Sequence, residues 1–251
     1  MIDSSASKQG NSMIRPTHSR RAALVFAALL STIFSTFFCA TATADMYVDR
    51  SIVVFEPGEP ARQDIKVTNS DTEDMYVQVE VLEVTKAGTV DEIRATVTDP
   101  SKLKLLATPN KLVIPPNGQK LIRIVNLKPD NTEERIYRIN VTPIVPPLEE
   151  DSSQLRIVVA YQILAIIQPD SPASTLNAQR NGKMMTFVNN GNTNVLLSDG
   201  KQCNPSNSTE CKDLTSRRLY ANNEWQLELP FDAPVTYSIR SFDGIKTQVY
   251  P

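Results

Sequence analysis

Histidine is almost missing from this chain: His18 is the one instance in 251 residues. Glycine is scarce at 8, and there are 3 cysteines, 1 tryptophan and 6% aromatic residues. Each scarcity closes a class of function. A Ser-His-Asp or Cys-His nucleophile depends on His18 alone, and the commonest zinc ligand sets cannot be assembled. The few glycines form no phosphate-cradling loop, and neither a GxSxG elbow nor an EF-hand loop occurs. Charge of one sign is lacking too. The 26 basic and 28 acidic residues give a net of −2, too small for long-range attraction to nucleic acid or anionic lipid. The expectation is a binding protein, without catalysis, cofactor or metal. What is present is ordinary globular composition, 41% hydrophobic and 22% charged, in a length that holds one large or two small cores.

Residues 1–44 read as an export address. An uncharged apolar run, Ala22 to Phe38, follows Arg15, Arg20 and Arg21 and exits through Cys39-Ala40-Thr41-Ala42-Thr43-Ala44. These are the charged, apolar and small-residue parts of a secretory signal, with cleavage expected after Ala44 and no membrane insertion afterwards. The run is short for a spanning helix, and Phe37 and Phe38 are too bulky for lipoprotein processing at Cys39. Either Met1 or Met13 can serve as the start. Removal takes away His18, four basic residues and one acid. The remaining 207 residues carry 22 basic and 27 acidic side chains, a net of −5, with no histidine. Cys203 and Cys211 remain, an even pair with seven residues between them, which an exported chain uses as a disulfide. So short a loop stabilises by roughly 2–3 kcal/mol in the chain-entropy model.

Hydrophobicity alternates with period two almost throughout. Met75, Val77, Val79 and Val81 share one face against Gln78 and Glu80, and Tyr137, Ile139 and Val141 repeat the pattern. Strands are expected near 47–55, 62–68, 75–84, 89–98, 103–108, 119–126, 135–143 and 154–168, punctuated by turns such as Glu56-Pro57-Gly58 and Pro115-Pro116-Asn117-Gly118. Such a series describes an immunoglobulin-type sandwich over 45–168. Gln168-Pro169-Asp170-Ser171-Pro172 opens a linker assigned to 169–173. A smaller β-domain follows over 174–251, with strands near 183–189, 194–198, 216–220, 225–229, 234–240 and 245–250. The fold class is all-β. Acidic pairs such as Glu133-Glu134 and Glu149-Glu150 read as solvated turns.

One strand asks for more than a sandwich supplies. In residues 154–168 the odd positions Leu155, Ile157, Val159, Tyr161, Ile163, Ala165 and Ile167 are all apolar or aromatic, and the even positions are mixed. A half-buried strand is polar on one face. This one is either covered internally on both faces or has one face awaiting a partner.

The stretch Leu106 to Pro147 holds Thr108-Pro109, a Pro/Gly turn, Leu121-Ile122-Arg123-Ile124, the acid-Arg turn Glu134-Arg135, Tyr137 with Asn140-Val141, and a proline-rich loop. With Val67-Thr68-Asn69 and the long strand ending at Gln168-Pro169, it resembles the periplasmic chaperones of chaperone–usher pilus assembly over about 46–172. The resemblance implies two immunoglobulin-like domains set as an L, in the periplasm. The partners it implies are pilus or fimbrial subunits and an outer-membrane usher. It also implies donor-strand complementation, in which a strand lent to a subunit's open groove binds by backbone hydrogen bonds and side chains in pockets. The inserted residues fall on Leu155, Ile157 and Val159, with Tyr161 and Ile163 on the same face. Arg123 and Glu134 match the family's strand arginine and turn glutamate, and an ion pair between them is expected. The family anchors the subunit's terminal carboxylate with an arginine and a lysine. The lysine position here is Leu164 and the arginine position falls at Ser51 or Ile52, leaving Arg50 as candidate anchor and Lys66, Arg62 or Arg156 as substitutes. The competing reading is an exported structural fimbrial subunit or adhesin. The penultimate Tyr250 favours it, and the absence of an apolar donor extension after Ala44 speaks against it.

Overall fold

The computed structural model describes residues 46–129, 131–145 and 158–251. Regular structure among the described residues is strand throughout, apart from a single-turn 3-10 helix at Pro100–Lys102 that the Asp99 carboxylate caps. The first sandwich is built from β1 (Met46–Val48), β2 (Ile52–Phe55), β3 (Arg62–Asn69), β4 (Met75–Thr85), β5 (Ile93–Thr96), β6 (Leu105–Thr108), β7 (Lys111–Ile114), β8 (Gln119–Asn126), β9 (Arg135–Pro143) and β10 (Tyr161–Ile167). One sheet has the order β1-β3-β8-β6; the other has β2-β10-β9-β4-β5, with β7 also pairing β4. The period-two pattern explains the layers. Ile65, Val67, Val77, Ile122, Ile124, Ile139 and Val141 point inward and are fully buried. Each contributes about 1.5–3 kcal/mol of apolar burial.

The expected strand at 47–55 is two strands. β1 pairs β3 antiparallel in one sheet, whereas β2 pairs β10 parallel in the other. The chain changes sheets over Asp49-Arg50-Ser51, where the Asp49 carboxylate accepts the Lys66 amide at 2.9 Å. The Val67-Thr68-Asn69 motif has a mechanical role: buried Asn69 donates its side-chain amide to the carbonyls of Glu73 (2.7 Å) and Ile114 (3.1 Å) and accepts from the Asp71 amide. The second sandwich repeats the device at Asn189, which donates to the Thr193 and Leu219 carbonyls at 2.8 and 3.0 Å and accepts from the Gly191 amide.

That second sandwich contains β11 (Leu176–Asn181), β12 (Met184–Asn189), β13 (Val195–Asn204), β14 (Asn207–Leu214), β15 (Arg217–Leu219), β16 (Glu224–Glu228), β17 (Val235–Ser241) and β18 (Gly244–Tyr250). Its sheets run β11-β12-β16 and β14-β13-β17-β18, with β15 on β13. Phe187 centres the core, stacked on Trp225 at 5.6 Å and edge-on to Tyr237 and Tyr250 at 5.6 and 5.1 Å. Cys203 and Cys211 are directly opposed across β13 and β14 and form the expected disulfide.

The linker is fastened at both ends. The Asp170 amide donates to the Asn131 carbonyl (2.8 Å), and the Ala173 amide donates to the Asn192 side chain (2.7 Å). Gly191 packs so closely there that a Cβ would lie 2.2 Å from the Ala173 carbonyl oxygen. Between the sandwiches, Val84, Ala87, Ile136, Leu164 and Ile166 of the first form one buried cluster with Tyr220 of the second.

Candidate functional site

β10 is the strand that the sequence pattern singles out, and its surroundings change along its length. From Leu164 to Ile167 it lies between two neighbours, β9 antiparallel and β2 parallel. The β2 pairing begins at Ile52 opposite Leu164, with the Leu164 amide donating to the Ser51 carbonyl at 3.0 Å. Among the described residues, Tyr161–Ile163 pair with β9 alone, because the other neighbour has already crossed to the opposite sheet. The edge of β10 is therefore closed downstream of Leu164 and open upstream. Val158, Val159 and Ala160 lead up to it outside any strand, with Val158 and Val159 42% and 38% exposed. An apolar segment before an unpaired strand edge is a template for another strand.

The five residues expected on the donor face divide into three groups. Leu155 and Ile157 lie outside the described residues. Val159 is exposed. Tyr161 and Ile163 belong to this chain's own core, which corrects their assignment to partner binding. Tyr161 is half-buried and donates its hydroxyl to the Met46 carbonyl at 2.9 Å, and Ile163 is completely buried with Ala165 and Ile167 between the two sheets. The even positions Leu164 and Ile166 are covered by the cluster that includes Tyr220. Over Tyr161–Ile167, then, the apolar character of both faces is satisfied within the chain.

The expected Arg123–Glu134 pair is absent. Arg123 on β8 instead makes a bidentate bond to Asp64 at 2.8 and 2.9 Å, its directly opposed residue on β3. The Arg123 guanidinium and its charge hold the Asp64 carboxyl below the usual range. Glu134, just ahead of β9, reaches the second sandwich instead. One carboxylate oxygen accepts from the Thr193 hydroxyl (2.7 Å), the Asn194 amide (2.9 Å) and the Asn194 side chain (2.6 Å). Its other oxygen is buried with no hydrogen-bond partner among the described residues. A solvated turn is thus replaced by a domain-bridging acceptor. Asn194 also accepts from Arg218, whose burial opposes its positive charge.

Arg50 stands beside the open edge, but its guanidinium pairs with neighbouring Asp49 at 3.1 Å. Burial resists ionisation of Asp49; the Lys66 amide and Arg50 outweigh it and lower the carboxyl's pKa. A cleft of about 590 Å³ lies between the sandwiches, lined in part by Val84, Ala87, Glu134, Ile136, Asn192 and Tyr220. Burial raises the pKa of the Tyr220 hydroxyl. Among the described residues no group of three or more His, Cys, Asp or Glu side chains is placed to hold a metal, and no helix is long and apolar enough to cross a membrane.

The family model described as "Pili and flagellar-assembly chaperone, PapD N-terminal domain" matches residues 45–173. The chain belongs to this family. Among relatives of this PapD-family chain, a CFA/I fimbrial protein of Escherichia coli is 25% identical over 151 residues, 57% of this chain and 63% of that protein. A CS1 fimbrial protein of Escherichia coli is 24% identical over 172 residues, 64% and 71% of the two chains. The chain thus spans somewhat less than two thirds of the CFA/I protein's length. Among solved structures, the class 5 fimbriae chaperone CfaA superposes with a TM-score of 0.59 at 20% identity, covering 82% of this chain and 99% of that one. A chain from the Salmonella enterica SafA pilin in complex with the SafB chaperone gives a TM-score of 0.61 at 16% identity, covering 84% and 98%. These likenesses show that the two-sandwich fold is shared.

Proposed function

We propose that this chain is a periplasmic chaperone that caps pilus or fimbrial subunits and delivers them to an outer-membrane usher. The observation that carries the reading is β10, closed by β2 from Leu164 onward and open before it. A subunit strand adds to that open edge, while Leu155, Ile157 and Val159 fill alternate pockets of the subunit's groove. Burying those three aliphatics supplies roughly 5–9 kcal/mol before ordering costs. Family membership and the fimbrial names of the relatives support this role, and one similar structure is a pilin–chaperone complex. The work is binding, not catalysis. Cleavage after Ala44 releases residues 45–251 into the periplasm, and Arg50, paired with Asp49, is the candidate anchor for the subunit's terminal carboxylate.

The test is co-expression with fimbrial subunits encoded beside this chain, followed by isolation of a one-to-one periplasmic complex. Ile157→Asp is expected to abolish the complex while leaving the chain folded. Survival of the complex in that variant, or recovery of the chain as a component of purified fibres, overturns the reading in favour of another strand or of a structural fibre component.

A further inference from the structure

The second sandwich has an open edge of its own. β18 is the last strand of its sheet and, among the described residues, pairs with β17 alone. The Phe242-Asp243 turn closes the β17–β18 hairpin on the opposed pair Ser241 and Gly244. A two-residue turn makes its flanking pair a hydrogen-bonded one, and antiparallel pairs alternate from there. Gly244, Lys246, Gln248 and Tyr250 therefore spend their backbone groups on β17, whereas Ile245, Thr247 and Val249 aim theirs at the edge. These three are β-branched and exposed, Ile245 and Val249 at 62% and 60%. Unpaired N–H and C=O groups beside exposed β-branched side chains are a template for another strand.

The opposite edge of the same sheet is guarded, and this one is not. β14 carries Glu210, Lys212 and Asp213, is stapled to β13 through Cys203–Cys211 and lies beside a register shift. Charges and bulges of that kind blunt an edge. β18 keeps unbroken register with β17 over all 7 residues and contains one charge, Lys246. What fits this edge is its own image. A two-fold axis at Thr247 opposes Ile245 to Val249 of a second copy, Thr247 to Thr247, and Val249 to Ile245. All three outward residues are then hydrogen-bonded, about six bonds in all, and both apolar pairs lie on one face. Lys246 meets Gln248 of the second copy rather than a like charge. Sliding the copies one way opposes the two Lys246 side chains. Sliding them the other way sets Ile245 against Pro251, which has no N–H to give.

We infer that a second copy of this chain pairs along β18, antiparallel about a two-fold axis at Thr247, so that one sheet runs through both copies. The contact uses nothing of β10, whose open edge belongs to the first sandwich. The pairing is therefore independent of the chaperone reading and compatible with it. A contact along one short strand is far smaller than a stable dimer interface, so the association is weak, on the order of 10–100 µM. It stops at the dimer, because an isologous contact closes on itself.

The experiment is sedimentation equilibrium of the purified exported chain from about 1 to 500 µM, a range that spans the expected constant. The expected result is a mass that rises with concentration from monomer to dimer. Thr247→Pro removes an edge-facing N–H without touching the β17 ladder, and Val249→Lys sets a charge against Ile245 of the second copy. Each is expected to weaken association at least about 10-fold, with V249K melting at the parental temperature. Where T247P fails to fold, V249K decides. Thr247→Cys reads the register: a thiol on the axis is expected to cross-link two copies on oxidation, whereas Lys246→Cys, opposite Gln248, does not. A chain that stays monomeric at the highest concentration overturns the inference. So does association that survives V249K but is lost in Ile157→Asp, since the copies then meet through the donor segment ahead of β10.

Discussion

Ile163 and Val159 are four residues apart on the same side of one apolar pattern, yet the structure gives them opposite roles. Ile163 is completely buried in the first sandwich, whereas Val159 is 38% exposed ahead of β10. Ile163→Ala removes three carbons from a packed site. At about 0.8 kcal/mol per carbon the transfer loss is roughly 2.4 kcal/mol, and the cavity left behind brings the cost to about 3–4 kcal/mol. Val159→Ala removes two carbons from a partly solvated, unpaired segment and costs under about 0.5 kcal/mol. Urea unfolding followed by tryptophan fluorescence and circular dichroism distinguishes them. With a slope of about 1–3 kcal/mol/M, I163A lowers the midpoint by about 1 M or more, and V159A leaves it in place. Binding of a fimbrial partner reverses the order, with V159A weakening the complex at unchanged stability. An I163A chain as stable as the parent but unable to hold that partner refutes the division drawn here, because Ile163 is then a partner contact.

Two further outcomes follow from other parts of the fold. Glu134→Ala removes three hydrogen bonds between the sandwiches and leaves Arg218 without a nearby carboxylate. Calorimetry is expected to show a single transition separating into two, with a loss of about 3 kcal/mol, and an unchanged single transition contradicts the bridging role. Tyr237 and Tyr250 have hydroxyl pKa values pushed up to about 12 by burial. Because the folded value lies above the unfolded value near 10, their contribution is complete below about pH 10 and is lost as pH rises toward 12. Tyrosinate absorbance at alkaline pH should therefore show these two ionising together with unfolding of the second sandwich, and ionisation near pH 10 in a still-folded chain counts against it.

The sequence discloses the strands whose two faces differ. β3, β4, β8, β9 and β12 alternate clearly and occur close to the expected positions. β11 and β14 give no such signal because they lie at sheet edges and carry little apolar surface; Asn207–Leu214 holds no fully buried residue. β7 is too short, at four residues, to stand out beyond Pro109. The break at Asp49-Arg50-Ser51 is invisible in the pattern because alternation does not reveal which sheet a strand joins. β10 is the sharpest case at the site. Its apolar character on both faces is legible, but Leu164 and Ile166 are covered by packing with Tyr220 in another domain, which no local pattern announces. Arg123 pairs with Asp64 for a similar reason: cross-strand register, not spacing along the chain, decides which charges meet.

The cluster shared by Leu164, Ile166 and Tyr220 also limits how this protein can be taken apart. The sandwich that carries the open edge has an outer surface finished by the other sandwich. Cut at the linker, it presents two large aliphatic side chains to water beside an already sticky strand. Exchange of halves between relatives therefore succeeds only when residues 84, 87, 136, 164, 166 and 220 travel as one set. The second sandwich acts as the lining of the first, so the working unit of this chain is the pair.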